Sequence, residues 1–157
     1  MNAVKRSTAT TDPRHNAGRK VAIIGGGIGG LTAAVDFAGQ GAHVTVYEQA
    51  PALTEVGAGI QITPNGARAL NALGLDAALA AAGIKATAVI PMDGLTGRAV
   101  TRFDLSGQTP PYRFIHRSTM IDLLARASEA VGVTCKMDAR ITELHPDRSF
   151  YTCDGLV

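Results

Sequence analysis

Short apolar runs and helically spaced apolar residues alternate along the first third of the chain. Residues 21–24 form an apolar run that ends in glycines, which predicts a strand buried on both faces. Residues 28–38 then carry apolar side chains at helical spacing, and Gly39 and Gly41 end that pattern. Residues 43–48 predict a second strand. A strand, a short helix and a second strand in this order predict a βαβ unit.

The rest of the chain predicts a mixture of helices and strands. Residues 50–63 are rich in loop-forming residues, and Thr63 can cap a helix that has Pro64 at its first position. Residues 86–103 predict a hairpin, and Ser118 can cap a long helix. The helix that Ser118 would cap is predicted over residues 118–131, and another helix is predicted over residues 75–82. Further strands are predicted over residues 133–136, 139–144 and 149–152.

Composition and charge narrow the class of protein. The 157 residues are 46% apolar and 18% charged, which suits one core-forming domain. With 15 basic and 13 acidic residues, the chain lacks the large excess of positive charge that is typical of nucleic-acid-binding proteins. No apolar run is long enough to span a membrane, and the histidines are too scattered to predict a metal site. With Cys135 and Cys153 as its only cysteines, the protein is expected in a reducing compartment, the cytoplasm.

The N-terminal segment differs from the rest of the chain. It carries Lys5, Arg6, Arg14 and Arg19, is rich in Ser and Thr, and has almost nothing to bury. It also lacks the central apolar run of a secretory signal. We therefore predict a disordered basic tail over residues 1–19 and a folded body over residues 20–157.

Three spaced glycines lie between the first predicted strand and the first predicted helix. In the pattern Gly25-x-Gly27-x-x-Gly30, the first glycine permits a tight turn and the second allows a pyrophosphate to approach the backbone. The third lets the helix pack close to the strand. The N–H groups at the helix start, including those of Ile28 and Gly29, would face the phosphates. The pattern predicts a Rossmann-like, dinucleotide-binding α/β fold.

An acidic residue completes this pattern. Glu48 closes the second predicted strand, where its carboxylate can accept hydrogen bonds from both hydroxyls of a ribose and would repel a 2′-phosphate. FAD and NAD therefore both fit this site, whereas NADP does not. The residues of the motif alone leave the choice between FAD and NAD open.

Three segments in this order resemble the class A FAD-dependent aromatic hydroxylases, such as salicylate hydroxylase and 3-hydroxybenzoate 6-hydroxylase. The first is the run from residue 21 to 48, which many flavin and nicotinamide proteins share. The second, residues 57–60 continuing to 64–66, and the third, His116-Arg117 leading into residues 123–124, are more specific. The resemblance extends from residue 20 to about residue 144.

The resemblance implies a set of cofactor-binding residues. Gly25, Gly27 and Gly30, with the helix start between them, would hold the FAD pyrophosphate, and Glu48 would hold the adenosine ribose. The loop of residues 57–60, including Gly59, would run beside the flavin ring, where small residues let the backbone approach. Arg117 would contact the ribityl-pyrophosphate chain. The implied cofactor-binding residues are Gly25, Gly27, Ile28, Gly29, Gly30, Glu48, Gly59 and Arg117.

The resemblance also implies an activity and an incomplete domain. Family members use NAD(P)H, FAD and O₂ to hydroxylate an aromatic acid or phenol, and they are considerably longer. We expect residues 20–157 to be the N-terminal part of an FAD-binding domain with a small β insertion. The substrate domain would be absent, and the chain would be inactive alone. Neither the motifs nor the resemblance identifies a catalytic residue or an oligomeric state. The alternatives are an NAD-binding module or small dehydrogenase, and a non-enzymatic truncated fragment.

Overall fold

The computed structural model describes residues 15–53, 57–147 and 149–153, together with the backbone of residues 155–156. Most of the predicted tail and Asp154 lie outside the described residues. The helices are α1 (Ile28–Gly39), α2 (Pro64–Ala72), α3 (Asp76–Ala82) and α4 (Arg117–Ala130). The strands are β1 (Lys20–Ile24), β2 (His43–Tyr47), β3 (Gly59–Ile62), β4 (Ile84–Lys85), β5 (Ala88–Val89), β6 (Phe103–Asp104), β7 (Arg113–His116), β8 (Thr134–Lys136), β9 (Ile141–Leu144), β10 (Phe150–Thr152) and β11 (Gly155–Leu156).

A parallel sheet of order β1-β2-β8 forms one layer of the fold. The register pairs Ile24 of β1 with Tyr47 of β2, and Tyr47 with Lys136 of β8. The carboxyl ends of these strands therefore lie side by side, at the edge where α/β proteins bind ligands. The parallel β1–α1–β2 arrangement confirms the predicted βαβ unit.

Three smaller antiparallel arrangements follow. The sheet β3-β7-β4 pairs Gly59 with His116, and Ile60 with Ile115. The pairing of β5 with β6 confirms the hairpin predicted over residues 86–103, and the sheet β11-β10-β9 contains the predicted C-terminal hairpin. The β3–β7 pairing matters for the site because it places the 57–60 segment beside the start of α4.

The main core lies between the helices and the β3-β7-β4 sheet. Its buried members come from α1 to α4, from β7 and from the α2–α3 connection: Leu31, Ala67, Leu70, Leu75, Leu79, Ile115, Met120, Ile121 and Leu124. A second cluster packs Ala34 of α1 onto Val44 and Val46 of β2. Both clusters contain residues of α1, so burial of apolar surface fixes this helix between the parallel sheet and α4.

Three local predictions are wrong. Strand β1 alternates between half-buried and exposed residues, with Ile24 52% exposed, because β2 is its one paired neighbour among the described strands. The segment 50–63, predicted as loop, contains β3, which a distant pairing with β7 creates. Helix α4 begins at Arg117 with His116 as its N-cap, so Ser118 lies inside the helix.

The folded body begins earlier than the predicted boundary at residue 19. Asn16 is 5% exposed, and its side-chain amide donates a hydrogen bond of 2.7 Å to Oε1 of Gln40. The Gly18 amide donates to the Gly41 carbonyl at 3.0 Å. Residues 15–19 therefore lie against the end of α1, because backbone and side-chain hydrogen bonds there compensate for the lack of apolar side chains.

Candidate functional site

The turn between β1 and α1 has the geometry that its glycines predict. Gly25 has φ +99°, a left-handed conformation that favours glycine, and its amide donates to the Tyr47 carbonyl at 2.8 Å. A Cβ built on Gly30 would lie 1.9 Å from the Gly25 carbonyl oxygen, so the helix approaches the turn too closely for any side chain. These two glycines are required by the turn itself.

The start of α1 presents backbone donors at the carboxyl edge of the parallel sheet. Gly27 is the N-cap and makes no side-chain capping bond, and the first intrahelical bond runs from the Leu31 amide to the Gly27 carbonyl at 2.9 Å. The amides of Ile28, Gly29 and Gly30 come before this first bond, so the helix itself supplies no acceptor for them. A helix start of this kind carries a partial positive charge and suits an anionic ligand.

Glu48 is fixed beside this helix start by two backbone amides. The Gly26 amide donates to Oε2 of Glu48 at 2.6 Å, and the Ala50 amide donates to Oε1 at 2.9 Å. An ionised carboxylate has about four lone-pair positions, so each oxygen keeps capacity to accept a further hydrogen bond. The two bonds orient the carboxylate before any ligand arrives.

A cavity of about 210 Å³ opens between these elements. Glu48 and the glycine turn form its polar side, while Leu53 and Ile121 supply apolar walls. The lining residues are Gly26, Gly27, Glu48, Ala50, Ala52, Leu53 and Ile121. Leu53 also packs over the turn, because a Cβ built on Gly26 would lie 2.5 Å from Cδ2 of Leu53.

Gly27 borders open space in this cavity. No heavy atom lies within 4 Å of a Cβ built on Gly27, and its φ of −74° is one that any residue can adopt. The protein's own packing therefore does not require glycine here. A glycine at this position leaves the backbone open to a close ligand, which is the role that the sequence pattern predicts.

A second group of predicted residues meets at the start of α4. Gly59 lies opposite His116 in the β3–β7 ladder, and the Arg117 amide donates to the Ala58 carbonyl at 3.4 Å. Arg117 is exposed and precedes Ile121, a cavity-lining residue, by one helical turn on the same face of α4. The fold thus brings the 57–60 segment and Arg117 together at the start of α4.

The structure brings the predicted glycines and Glu48 together at one end of the parallel sheet, and it brings Gly59 and Arg117 together at the start of α4. Sequence reasoning missed the apolar side of the cavity, which Leu53 and Ile121 form. Ile121 could have been found from its position four residues after Arg117 on a predicted helix. Leu53 gave no such signal, since it lies in an irregular segment.

In the described parts of the chain, no group of three or more His, Cys, Asp or Glu residues is placed to hold a metal ion. None of the helices in those parts is long and apolar enough to cross a membrane. Cys135 on β8 is exposed as a whole residue, but partial desolvation of its thiol raises the pKa of that thiol, which favours the protonated form at neutral pH.

Comparison with known proteins identifies the family. The sequence model described as "FAD binding domain" matches residues 19–153, so the chain belongs to that family. This match confirms the α/β fold class, the resemblance to flavoprotein hydroxylases and the choice of FAD as the family's cofactor. A glycine turn, the free amides of a helix start and an acidic residue at the end of the next strand are the groups that bind the phosphates and ribose of a dinucleotide in α/β folds.

The similar proteins are aromatic hydroxylases of greater length. The chain is 36% identical over 137 residues to 3-amino-4-hydroxybenzoate 2-monooxygenase of Streptomyces cremeus, covering 82% of this chain and 34% of that protein. It is 36% identical over 136 residues to 3-hydroxybenzoate 6-hydroxylase 1 of Aquipseudomonas alcaligenes, with the same coverages. The chain therefore spans about a third of the length of these relatives.

A solved structure shows the same fold. The tetrameric form of 2-methyl-3-hydroxypyridine-5-carboxylic acid oxygenase superimposes with a TM-score of 0.82 at 26% identity, covering 89% of this chain and 37% of that one.

Proposed function

We propose that this chain is the N-terminal part of an FAD-dependent monooxygenase that hydroxylates an aromatic acid or phenol with NAD(P)H and O₂. The observation that carries the proposal is the open space at Gly27, between the start of α1 and the fixed carboxylate of Glu48. The names of the two hydroxybenzoate-modifying relatives support the substrate class. Use of NAD(P)H is consistent with a cytoplasmic protein.

The glycine turn and helix α1 would hold the diphosphate of FAD. Gly25 and Gly30 keep the turn tight, and Gly27 leaves the backbone accessible. The amides of Ile28 and Gly29 supply donors in the first turn of the helix. Hydrogen bonds between backbone amides and charged oxygens are stronger than those between neutral groups, which suits a diphosphate.

Glu48 would bind the adenosine ribose. Its two oxygens are already oriented by the amides of Gly26 and Ala50, and each can accept one ribose hydroxyl. The same carboxylate would repel the 2′-phosphate of NADP, so binding of NADP at this site is disfavoured. The apolar walls of the cavity limit solvent access to these bonds.

Gly59 and Arg117 would contact the remainder of the cofactor. Arg117 carries a permanent charge and several donors at the start of α4, which suits phosphate oxygens or ribityl hydroxyls. Gly59 lies opposite His116 at the start of β3, where a small residue permits close approach of another group. Bound FAD would supply electron transfer and O₂ activation, while this chain binds and orients it.

Absorbance spectroscopy and a coupled assay test the proposal. We expect the purified chain to bind FAD with a saturable shift of the flavin absorption bands. We also expect it to leave NADH unoxidised when 3-hydroxybenzoate is added, because it spans about a third of its relatives. Binding of NADH without any FAD binding would instead support an NAD-binding module. Oxidation of NADH in step with added 3-hydroxybenzoate would show that the chain alone is an active enzyme.

A further inference from the structure

A glycine outside the phosphate-binding motif, Gly57, faces the side chain of Arg117. A Cβ built on Gly57 would lie 3.4 Å from Cδ and 3.6 Å from Cβ of Arg117. The aliphatic part of the arginine therefore occupies the space that a larger side chain at position 57 would need. A single Cβ would just make ordinary van der Waals contact, whereas a branched side chain would displace the arginine.

The backbone around this contact is fixed on both sides. The Arg117 amide bonds the Ala58 carbonyl, and Gly59 pairs with His116 in the β3–β7 ladder. The position of residue 57 relative to the start of α4 is thus set by hydrogen bonds rather than by the arginine side chain. A substitution at Gly57 would change the arginine's position more readily than that of the two backbone segments.

We propose that Gly57 is a positioning residue for Arg117: the lack of a side chain at position 57 leaves the space in which the aliphatic part of the arginine lies, and this place pre-organises the guanidinium for the cofactor. This inference rests on the proposed function of Arg117 in FAD binding. Arginine has many rotamers, and immobilising such a side chain on binding costs affinity. An arginine whose aliphatic part already has a defined place beside residue 57 avoids much of that cost.

A double-mutant cycle on the full 157-residue chain tests this proposal, with FAD affinity measured by flavin fluorescence. Arg117→Met keeps an unbranched side chain but removes the charge, and we expect FAD binding to weaken about tenfold or more. Gly57→Leu should weaken binding about three- to tenfold when Arg117 is present. In the Arg117→Met background, the same Gly57→Leu change should alter affinity less than twofold.

Two further variants separate positioning from general damage. Gly57→Ala adds a Cβ at ordinary contact distance from Arg117 and should therefore weaken FAD binding less than Gly57→Leu does. Gly94→Leu, at a glycine with no heavy atom within 4 Å of its Cβ position, should leave it unchanged. The midpoint of urea unfolding without FAD should also be similar for Gly57→Leu and Gly94→Leu.

The outcomes distinguish the inference from the function on which it rests. If Gly57→Leu weakens binding equally in both backgrounds, or in neither, Gly57 does not act through Arg117 and the inference is overturned. If Arg117→Met leaves FAD affinity unchanged, the proposed role of Arg117 fails, and the inference fails with it. A parent chain that does not bind FAD at all would overturn the proposed function itself.

Discussion

Replacement of Gly27 by valine separates ligand binding from folding at the candidate site. Gly27 has a backbone conformation open to any residue, and no protein atom lies within 4 Å of its Cβ position. The valine side chain would therefore project into the cavity without a clash in the protein. Removing a glycine restricts the unfolded chain, whereas valine is a poorer N-cap residue than glycine, so we expect these opposing effects to leave stability within about 1 kcal/mol of the parent.

The effect on FAD affinity follows from the distances involved. An amide donor must come within about 2.7–3.2 Å of a phosphate oxygen, whereas carbon atoms of an added side chain keep other heavy atoms about 3.5 Å away. Loss of two charge-assisted hydrogen bonds, each contributing about 1.5–3 kcal/mol, would cost roughly 3–6 kcal/mol. The dissociation constant of FAD should therefore rise by about two to four orders of magnitude.

Flavin fluorescence measures this change directly, because flavin absorbs and emits light at longer wavelengths than any side chain of the protein. The matched control is Gly39→Val, the same substitution at the other end of α1, where a Cβ also meets no heavy atom within 4 Å. We expect the control to bind FAD like the parent chain. FAD affinity unchanged by Gly27→Val would refute the assignment of the diphosphate to this helix start.

Three further substitutions test other parts of the account. Glu48→Ala removes the proposed ribose acceptor and should weaken FAD binding by roughly 1–3 kcal/mol in the same titration; an unaltered affinity would exclude that role. Gly30→Ala places a Cβ 1.9 Å from the Gly25 carbonyl oxygen and should lower the free energy of unfolding in urea by several kcal/mol, whereas a stable variant would contradict the close approach. Asn16→Ala removes a buried hydrogen bond to Gln40 and should destabilise the chain by about 1 kcal/mol while FAD affinity stays constant. No loss of stability would mean that the Asn16 side chain does not help to hold residues 15–19 against α1.

The βαβ unit and its site could be predicted because their signals are local. The spacing of apolar residues predicted α1. A short helix between two strands in turn predicted that β1 and β2 lie side by side and parallel. Glu48 comes next to the glycine turn for the same reason. Its bond to the Gly26 amide, by contrast, has no signal in the pattern, although it is what orients the carboxylate.

The errors arise where distant segments decide the structure. Strand β3 exists because it pairs with β7, more than fifty residues later, so its own loop-like composition was misleading. The apolar run of β1 predicted burial on both faces, yet a strand is covered only as far as its neighbours extend. The N-terminal residues around Asn16 are held by hydrogen bonds to Gln40 and Gly41, which a search for apolar patterns overlooks.

The central claim is that a diphosphate lies at the start of α1 while Glu48 holds the neighbouring ribose. Titration of FAD into the ¹⁵N-labelled 16.2 kDa chain, followed by NMR, tests this claim most directly. We predict that the amide signals of Gly27, Ile28, Gly29 and Gly30 shift together and saturate with a single dissociation constant. Saturable binding that leaves these four amides unshifted and moves signals elsewhere would contradict the account.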